Sequence, residues 1–445
     1  MTLITDSDIA TATTHLQRLI QIDTTNPPGN ELNACLYIKS VLDQENIPAQ
    51  ILESAPGRAN IIARLGGDGS AKPFLFTSHL DVVPAEKEYW SEDPFAGIIK
   101  NNFIWGRGAV DMKNMTALAL TLFVKCHRDK VKLKRDIIFA AVADEEAGCT
   151  LGSKWLVDNH PDLIRAEYAV NEVGGFSMTI DKQVFYPIGV AEKGVCWFEV
   201  VATGTPGHGA MPHDDQAIGH VCFAAHKLAR TDLPFHNSQI VTDFITALSQ
   251  KTRFPKNLIL KSLAKENYSD FSLKHLLPDQ KKARQLKNMF HNLATPTKLT
   301  AGYKENVIPG TASVTIDGRV LPEQSLASFL NEVQMLIGDG FQIKLIHGEE
   351  PYTMPNYDDA FYGVLKSTLI KHDPGCWPVP FLIPGFTDAK QYQRLGIKCY
   401  GFAPVKLPAD LNFGDLYHGH NERLPLGAIA FGLQVLWDVV GQTCR

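Results

Sequence analysis

The sequence predicts an α/β protein: a mainly parallel, doubly wound sheet with helices on both faces, interrupted by a smaller α+β domain. Three observations carry this. Helical and strand patterns alternate over the first 189 residues, half-exposed strands take over near residue 190, and the α/β alternation resumes at 351. Residues 7–21 place apolar positions at helical spacing, and "DTTNPPGN" ends that helix, because proline lacks a backbone donor and fixes φ. A second helix covers about 30–45, followed by strands at 48–53, 59–65 and 72–78 ("KPFLFTS"). A helix opens after Asp111 in "MKNMTALALTLFVKCH". The run "DIIFAAVA", 136–143, is apolar without alternation, as a strand covered on both faces requires. A helix near 150–159 then leads to "EYAVNE" at 167–172. Strands separated by helices pair in parallel, since the helix makes the crossover.

From 190, "GVCWFEVVATG" alternates in the manner of an antiparallel strand with one wet face. A helix at about 214–229, a strand in "NVIPGTASVTIDGRV", a helix in "QSLASFLNEVQMLIG" and a strand in "FQIKLIHG" follow. A β-α-β-β-α-β order of this kind is ferredoxin-like. Residues 232–297 add a polar, Lys-rich helical insertion, read as a solvated face. The expected division is therefore 1–189 with 351–445 as one domain and 190–350 as the other.

At 445 residues the chain exceeds what one core usually serves, and 44% hydrophobic with 20% charged residues is ordinary for a globular protein. A net charge of −5 and a pI near 6.3 leave no electrostatic case for nucleic acid or an anionic membrane. No basic and apolar leader opens the chain, and no run approaches the roughly 18 apolar residues of a membrane span. Eight scattered cysteines without a C-x-x-C pair fit free thiols in a reducing cytoplasm better than disulfides or a thiolate zinc site.

The chemistry collects where strands end. "FTSHLDVVPA" sets His79 and Asp81 two apart, so both face one side as the strand runs out. "WGRGAVDMKN" puts Asp111 at the mouth of a helix, and 136–143 runs into Asp144, Glu145 and Glu146 of "DEEAG". Glu172 closes the next strand in "NEVGG", and His418 and His420 lie in "YHGHNERLP". Ligands of open α/β sheets bind outside the carboxyl ends of the strands. So many carboxylates in one place require cations, and imidazole mixed with carboxylate favours zinc or a similar divalent ion, in a two-metal arrangement.

"SHLDVVP", "GRGAVDMKN", "DEEAG", "NEVGG" and "HGHNE" resemble the metal-site motifs of the zinc peptidase family of aminoacylases, carboxypeptidase G, acetylornithine deacetylase and succinyl-diaminopimelate desuccinylase. "GTPGHGAMPH" and "NVIPG…DGR" resemble that family's lid motifs, and the match keeps the family's order over nearly the whole chain. The resemblance implies two Zn2+ per chain, with Co2+ or Mn2+ as alternatives. His79 and Glu172 would bind one ion, Glu146 and His418 the other, and Asp111 would bridge them. His418 is preferred over His420 because the family spacing is H-x-x-N-E. Asp81 would orient the His79 ring, Glu145 would be the general base, and Asp144 a structural acid. It further implies that His208 acts from the neighbouring subunit of a homodimer built through a lid/dimerisation domain. Asn306, Arg319 and Gly385 would bind substrate, although Phe386 stands where the family has a small residue. The implied activity is zinc-dependent hydrolysis of an amide bond in a small peptide or N-acyl amino acid. The alternative is a catalytically silent metal- or peptide-binding protein of the same fold. A third reading, a two-metal phosphoesterase, fits less well: such sites use more histidine and asparagine ligands and lack this lid.

Overall fold

The computed structural model describes residues 2–276 and 280–445. The chain divides into two compact units, one of Met1–Val190, Met354–Pro380 and Thr387–Arg445, the other of Ala191–Thr353 and Phe381–Phe386. The short excursion 381–386 joins the second unit, where the Lys193 amide donates to the Ile383 carbonyl at 3.2 Å.

The first unit opens with α1 (Asp6–Gln21), closed at its N-terminus by a capping box. The Thr5 hydroxyl oxygen accepts from the Asp8 amide (3.2 Å), and the Thr5 amide donates to the Asp8 carboxylate (2.8 Å). Then come α2 (Glu31–Gln44), the antiparallel pair β1 (Ala49–Ala55) and β2 (Arg58–Leu65), β3 (Phe74–His79), α3 (Lys113–Arg128), β4 (Ile137–Val142), α4 (Ser153–Asn159), β5 (Tyr168–Asn171) and β6 (Gln183–Glu192). Every residue of β3 and β4 is buried, which is why neither shows polar alternation.

In the second unit the chain forms β7 (Gly194–Thr203), α5 (Ala217–Arg230), a run of helices α6 (Gln239–Lys251), α7 (Lys256–Leu263), α8 (Glu266–His275) and α9 (Gln280–Lys287), then β8 (Leu293–Ala301), β9 (Thr311–Val320), α10 (Leu326–Ile337) and β10 (Gln342–Glu349). Its sheet runs β8-β9-β7-β10, antiparallel throughout. Alternate residues of β7 (Cys196, Phe198, Val200, Ala202) share one face with Val314 and Ile316 of β9. Val221, Ala224 and Leu228 of α5 and Phe329, Val333 and Ile337 of α10 cover that face at helical spacing. The helical insertion is shorter than the sequence reading of 232–297, because Leu293 already pairs with Arg319 in β8. That strand lies on the sheet edge, is largely exposed and contains Pro296, so it lacks the apolar alternation that marks a strand.

Returning to the first unit, the chain adds α11 (Ala360–His372), β11 (Lys398–Gly401) and α12 (Leu426–Thr443). The main sheet reads β1-β2-β4-β3-β5-β11-β6, with β4, β3, β5 and β11 parallel and antiparallel strands at the margins. The composition of α12 would suit a membrane span, against the expectation that no such run exists. It is a core helix, packed on α1, α3 and α11.

Candidate metal centre

Because β3, β4 and β5 are parallel, their carboxyl ends open on one edge, where side chains can converge. His79 ends β3, Asp144–Glu146 follow β4, and Glu172 follows β5. Asp111 lies two residues ahead of α3, and His418 follows a short helix, Phe413–Leu416. Asp144 (φ 69°), Val173 (φ 53°) and His418 (φ 56°) all adopt the left-handed region, a strain of about 1–3 kcal/mol each that concentrates at working sites. At Gly174 a Cβ would sit 1.9 Å from the Gly401 carbonyl of β11, so the turn after Glu172 needs glycine there.

Asp111 divides its carboxylate between two imidazoles: Oδ1 is 3.1 Å from His79 Nε2 and Oδ2 is 3.0 Å from His418 Nε2. Each imidazole also faces its own glutamate. His79 Nε2 is 3.4 Å from Glu172 Oε2, and His418 Nε2 is 3.1 Å from Glu146 Oε2. Glu145 Oε2 lies 3.9 Å from His79 Nε2. Among the described residues, two triads hold ligand atoms close enough to share an ion: His79, Glu145 and Glu172, and His79, Asp111 and Glu146. Glu146 Oε1 and Glu172 Oε1 are buried without a hydrogen-bond donor, as carboxylates built to receive a cation would be.

The electrostatics show the same charge deficit. Burial, then Asp111, pushes Glu146 up to about 7. Burial also drives Glu172 up to about 8, although His79 opposes it. Burial, then Glu172, holds Glu145 well above the carboxylate range. His79 resists charging through burial, yet Glu172, Asp111 and Asp81 outweigh that and hold its proton tightly. His418 is raised to about 10 against its burial by Asp111 and Glu146. Protons on these groups occupy positions where a divalent ion would serve better.

The His79 ring is fixed by Asp81 in a way sequence alone does not show. Its Nδ1 meets the Asp81 backbone carbonyl at 2.9 Å, with the carboxylate at 3.5 Å. The Asp81 carboxylate mainly accepts the backbone amides of Glu145 and Glu146, each at 3.1 Å. Other residues went unnoticed in the sequence. Glu422 accepts from the amides of Gly108, Val110 and Asp111 and from the Arg107 guanidinium at 2.7–3.2 Å, fixing the loop that carries Asp111. Its only signal was its place in "HGHNE". Asp388, wholly buried beside the Ser153 hydroxyl and raised to about 6 by burial, sits in "PGFTDAK", where Gly385 drew the attention. His420 stays outside the cluster: it pairs with Glu86 at 3.2 Å and stacks on Tyr89.

His208, Asn306, Arg319 and Gly385 belong to the second unit. A short ribbon pairs Gly207–His208 with Val307–Ile308, and the Gly209 amide donates to the Asn306 carbonyl at 2.9 Å, bringing the first two together. Arg319 pairs with Asp317 at 3.0 Å and lies over the Phe386 ring at 5.9 Å. Nothing within 4 Å would meet a Cβ at Gly385, so the unit makes no steric demand for glycine there.

A family model described as peptidase family M20/M25/M40 matches residues 75–442. The chain is 28% identical over 413 residues to N-fatty-acyl-amino acid synthase/hydrolase PM20D1 of Xenopus tropicalis, covering 89% of this chain and 78% of that protein. It is 26% identical over 435 residues to aminoacylase-1 of Sus scrofa, covering 95% and 92%. Its fold matches the M20 family metallo-carboxypeptidase Sso-CP2 from Sulfolobus solfataricus with a TM-score of 0.71 over 98% and 99% of the two chains, at 17% identity. With the family model spanning the strands, the second unit and His418 alike, the chain belongs to peptidase family M20/M25/M40 and is a hydrolase of that family.

Proposed function

We propose that this hydrolase cleaves the amide bond of an N-acyl amino acid or a small peptide with two zinc ions per chain. The observation that carries the reading is Asp111, whose two oxygens face two imidazoles that each face a separate glutamate. On this reading His79 and Glu172 would hold one ion, Glu146 and His418 the other, and Asp111 would serve both. Bound ions would supply Lewis-acid polarisation of the scissile carbonyl and a water acidic enough to lose its proton near neutral pH. Glu145, buried with its Oε2 3.9 Å from His79 Nε2, would take that proton and later deliver it to the leaving nitrogen. Asp81 keeps His79 and both glutamates in place.

The Arg319 guanidinium would clamp the substrate carboxylate, with Phe386 bounding its freedom, and Asn306 and Gly385 would line the same subsite. His208, the exposed residue of a short ribbon, would polarise the carbonyl from a partner subunit in a homodimer. The names of the relatives, an aminoacylase and an N-fatty-acyl-amino acid synthase/hydrolase, favour N-acyl amino acids over dipeptides. Eight free thiols, seven of them buried, favour a reducing compartment such as the cytoplasm.

The test is a panel of N-acyl amino acids and dipeptides assayed with and without chelator, alongside Glu145→Gln. Chelation should abolish turnover and zinc should restore it. The variant should keep two zinc equivalents while kcat falls at least about 10²-fold. Near-normal turnover by Glu145→Gln would rule it out as the base, and one firm metal site would rule out the pair.

A further inference from the structure

Beside the carboxylate cluster lies a second, buried polar chain. Glu31 accepts both arms of the Arg58 fork, from Nε and from Nη2, at 2.7 Å each. The same Nη2 reaches Asp144 Oδ1 at 2.9 Å. Asn26 Nδ2 then donates one hydrogen to Asp144 Oδ1 (3.1 Å) and the other to Asp81 Oδ2 (2.9 Å). Asp81 in turn receives the amides of Glu145 and Glu146. Each member is at least nine-tenths buried. The motif "TTNPPGNE", which otherwise only ends a helix, supplies two of these residues. It also supplies Gly29, where a Cβ would fall 2.2 Å from Arg58 Nε.

We infer that Asn26 is a positioning residue: its amide spaces the Asp81 and Asp144 carboxylates and thereby aims the two consecutive glutamates, 145 and 146, at different partners. Two anionic carboxylates in low dielectric repel unless donors stand between them. A neutral amide with two hydrogens joins them at fixed distance without adding charge. Its own backbone is tied down, since the Asn26 amide donates to the Val82 carbonyl at 2.9 Å, one residue past Asp81. On the far side, Asp144 is held in its left-handed conformation by Thr150 Oγ1 (2.7 Å) and the Leu151 amide (3.0 Å) through its second oxygen. With Asp144 and Asp81 both fixed, the peptides of residues 145 and 146 have one orientation. Glu145 is then directed to His79 and Glu146 to His418. Asp144 is therefore more than a structural acid; it is one end of the clamp, and the Glu31–Arg58 pair holds that end in place.

The inference rests on the roles proposed for Glu145 and Glu146, so its test includes a readout that needs neither metal nor turnover. In metal-free protein, amide hydrogen exchange over residues 144–147 should rise at least about tenfold in Asn26→Leu, which keeps the branched heavy-atom shape and removes both donors, while β2 and β4 stay protected. In the zinc enzyme kcat should fall about 10- to 100-fold with KM within about threefold and metal content unchanged. Arg58→Lys keeps a cation but cannot serve Glu31 and Asp144 together, and should give a smaller loss of the same kind. It carries the test if Asn26→Leu does not fold. Unchanged exchange at 144–147, or exchange raised equally across the unit with kcat intact, would overturn the positioning role. Failure of Glu145 as the base would instead appear as an active Glu145→Gln and would leave the exchange result standing.

Discussion

Asp111 and the two imidazoles it faces show how much one residue's surroundings decide. His418 and His420 are two positions apart, yet one joins two buried carboxylates and the other reaches a surface glutamate. Residue types and spacing were enough to pick out the acids at strand ends, because period-two alternation and the parallel sheet leave them no other place. They were not enough for Asn26, Arg58 or Glu422. Those residues act through side-chain geometry across 55, 86 and more than 300 positions, which no local pattern encodes. The cluster's titration makes a prediction at this scale. Metal-free Glu172 holds its proton to about 8 and His418 to about 10, and the ligand roles proposed for them need the first anionic and the second neutral. Loading at pH 6 must therefore displace protons, and affinity must climb as pH rises through that window. Calorimetry at pH 6 in buffers of different protonation enthalpy should show release of about two or more protons per chain loaded. Buffer-independent heats would contradict it.

Among the elements, the buried strands were the easiest to read and the edge strand β8 the hardest. A strand covered on both faces is a run of apolar residues, whereas an edge strand with proline carries little signal. Gly174 and Gly385 test how well glycine can be interpreted. Both look alike in sequence, each beside a second unusual residue in a loop. Gly174 abuts the Gly401 and Gly189 backbones, and Gly385 abuts nothing. Gly174→Ala should cost about 3 kcal/mol or more, at the upper end of overpacking, and shift Glu172 enough to reduce metal retention. Gly385→Ala should stay within about 0.5 kcal/mol of the parent, with any effect confined to KM. Thermal melts and metal analysis of the two variants decide the matter. Equal stability would mean that the close approach at Gly174 relaxes freely.

For the whole molecule, the periodicity changes at 190 and near 351, while the two compact units divide after Val190 and after Thr353, with 381–386 grouped with the second. A six-residue crossing is too short to alter composition, so sequence cannot flag it. The proposed dimer is testable at this scale. Mixing inactive Glu145→Gln and His208→Ala chains under subunit exchange gives mixed dimers in which one site carries both defects and the other neither. If His208 works across the interface, activity should return to about a quarter of wild type. Silence after proven exchange would place His208 elsewhere in the reaction, or outside it.

Glu422 has one more consequence, and it concerns the order in which the chain is made. The loop it fastens, Arg107–Asp111, leaves the ribosome 311 residues before the carboxylate that receives the Asp111 amide. His418 emerges just ahead of it. Throughout that interval the acids of the first three parallel strands lack their second imidazole, and Asp111 is untethered. A nascent or prematurely terminated chain ending before 418 can fold much of the sheet and still not assemble the cluster. The complete cluster thus arrives late in translation, after most of the protein that must hold it has been synthesised.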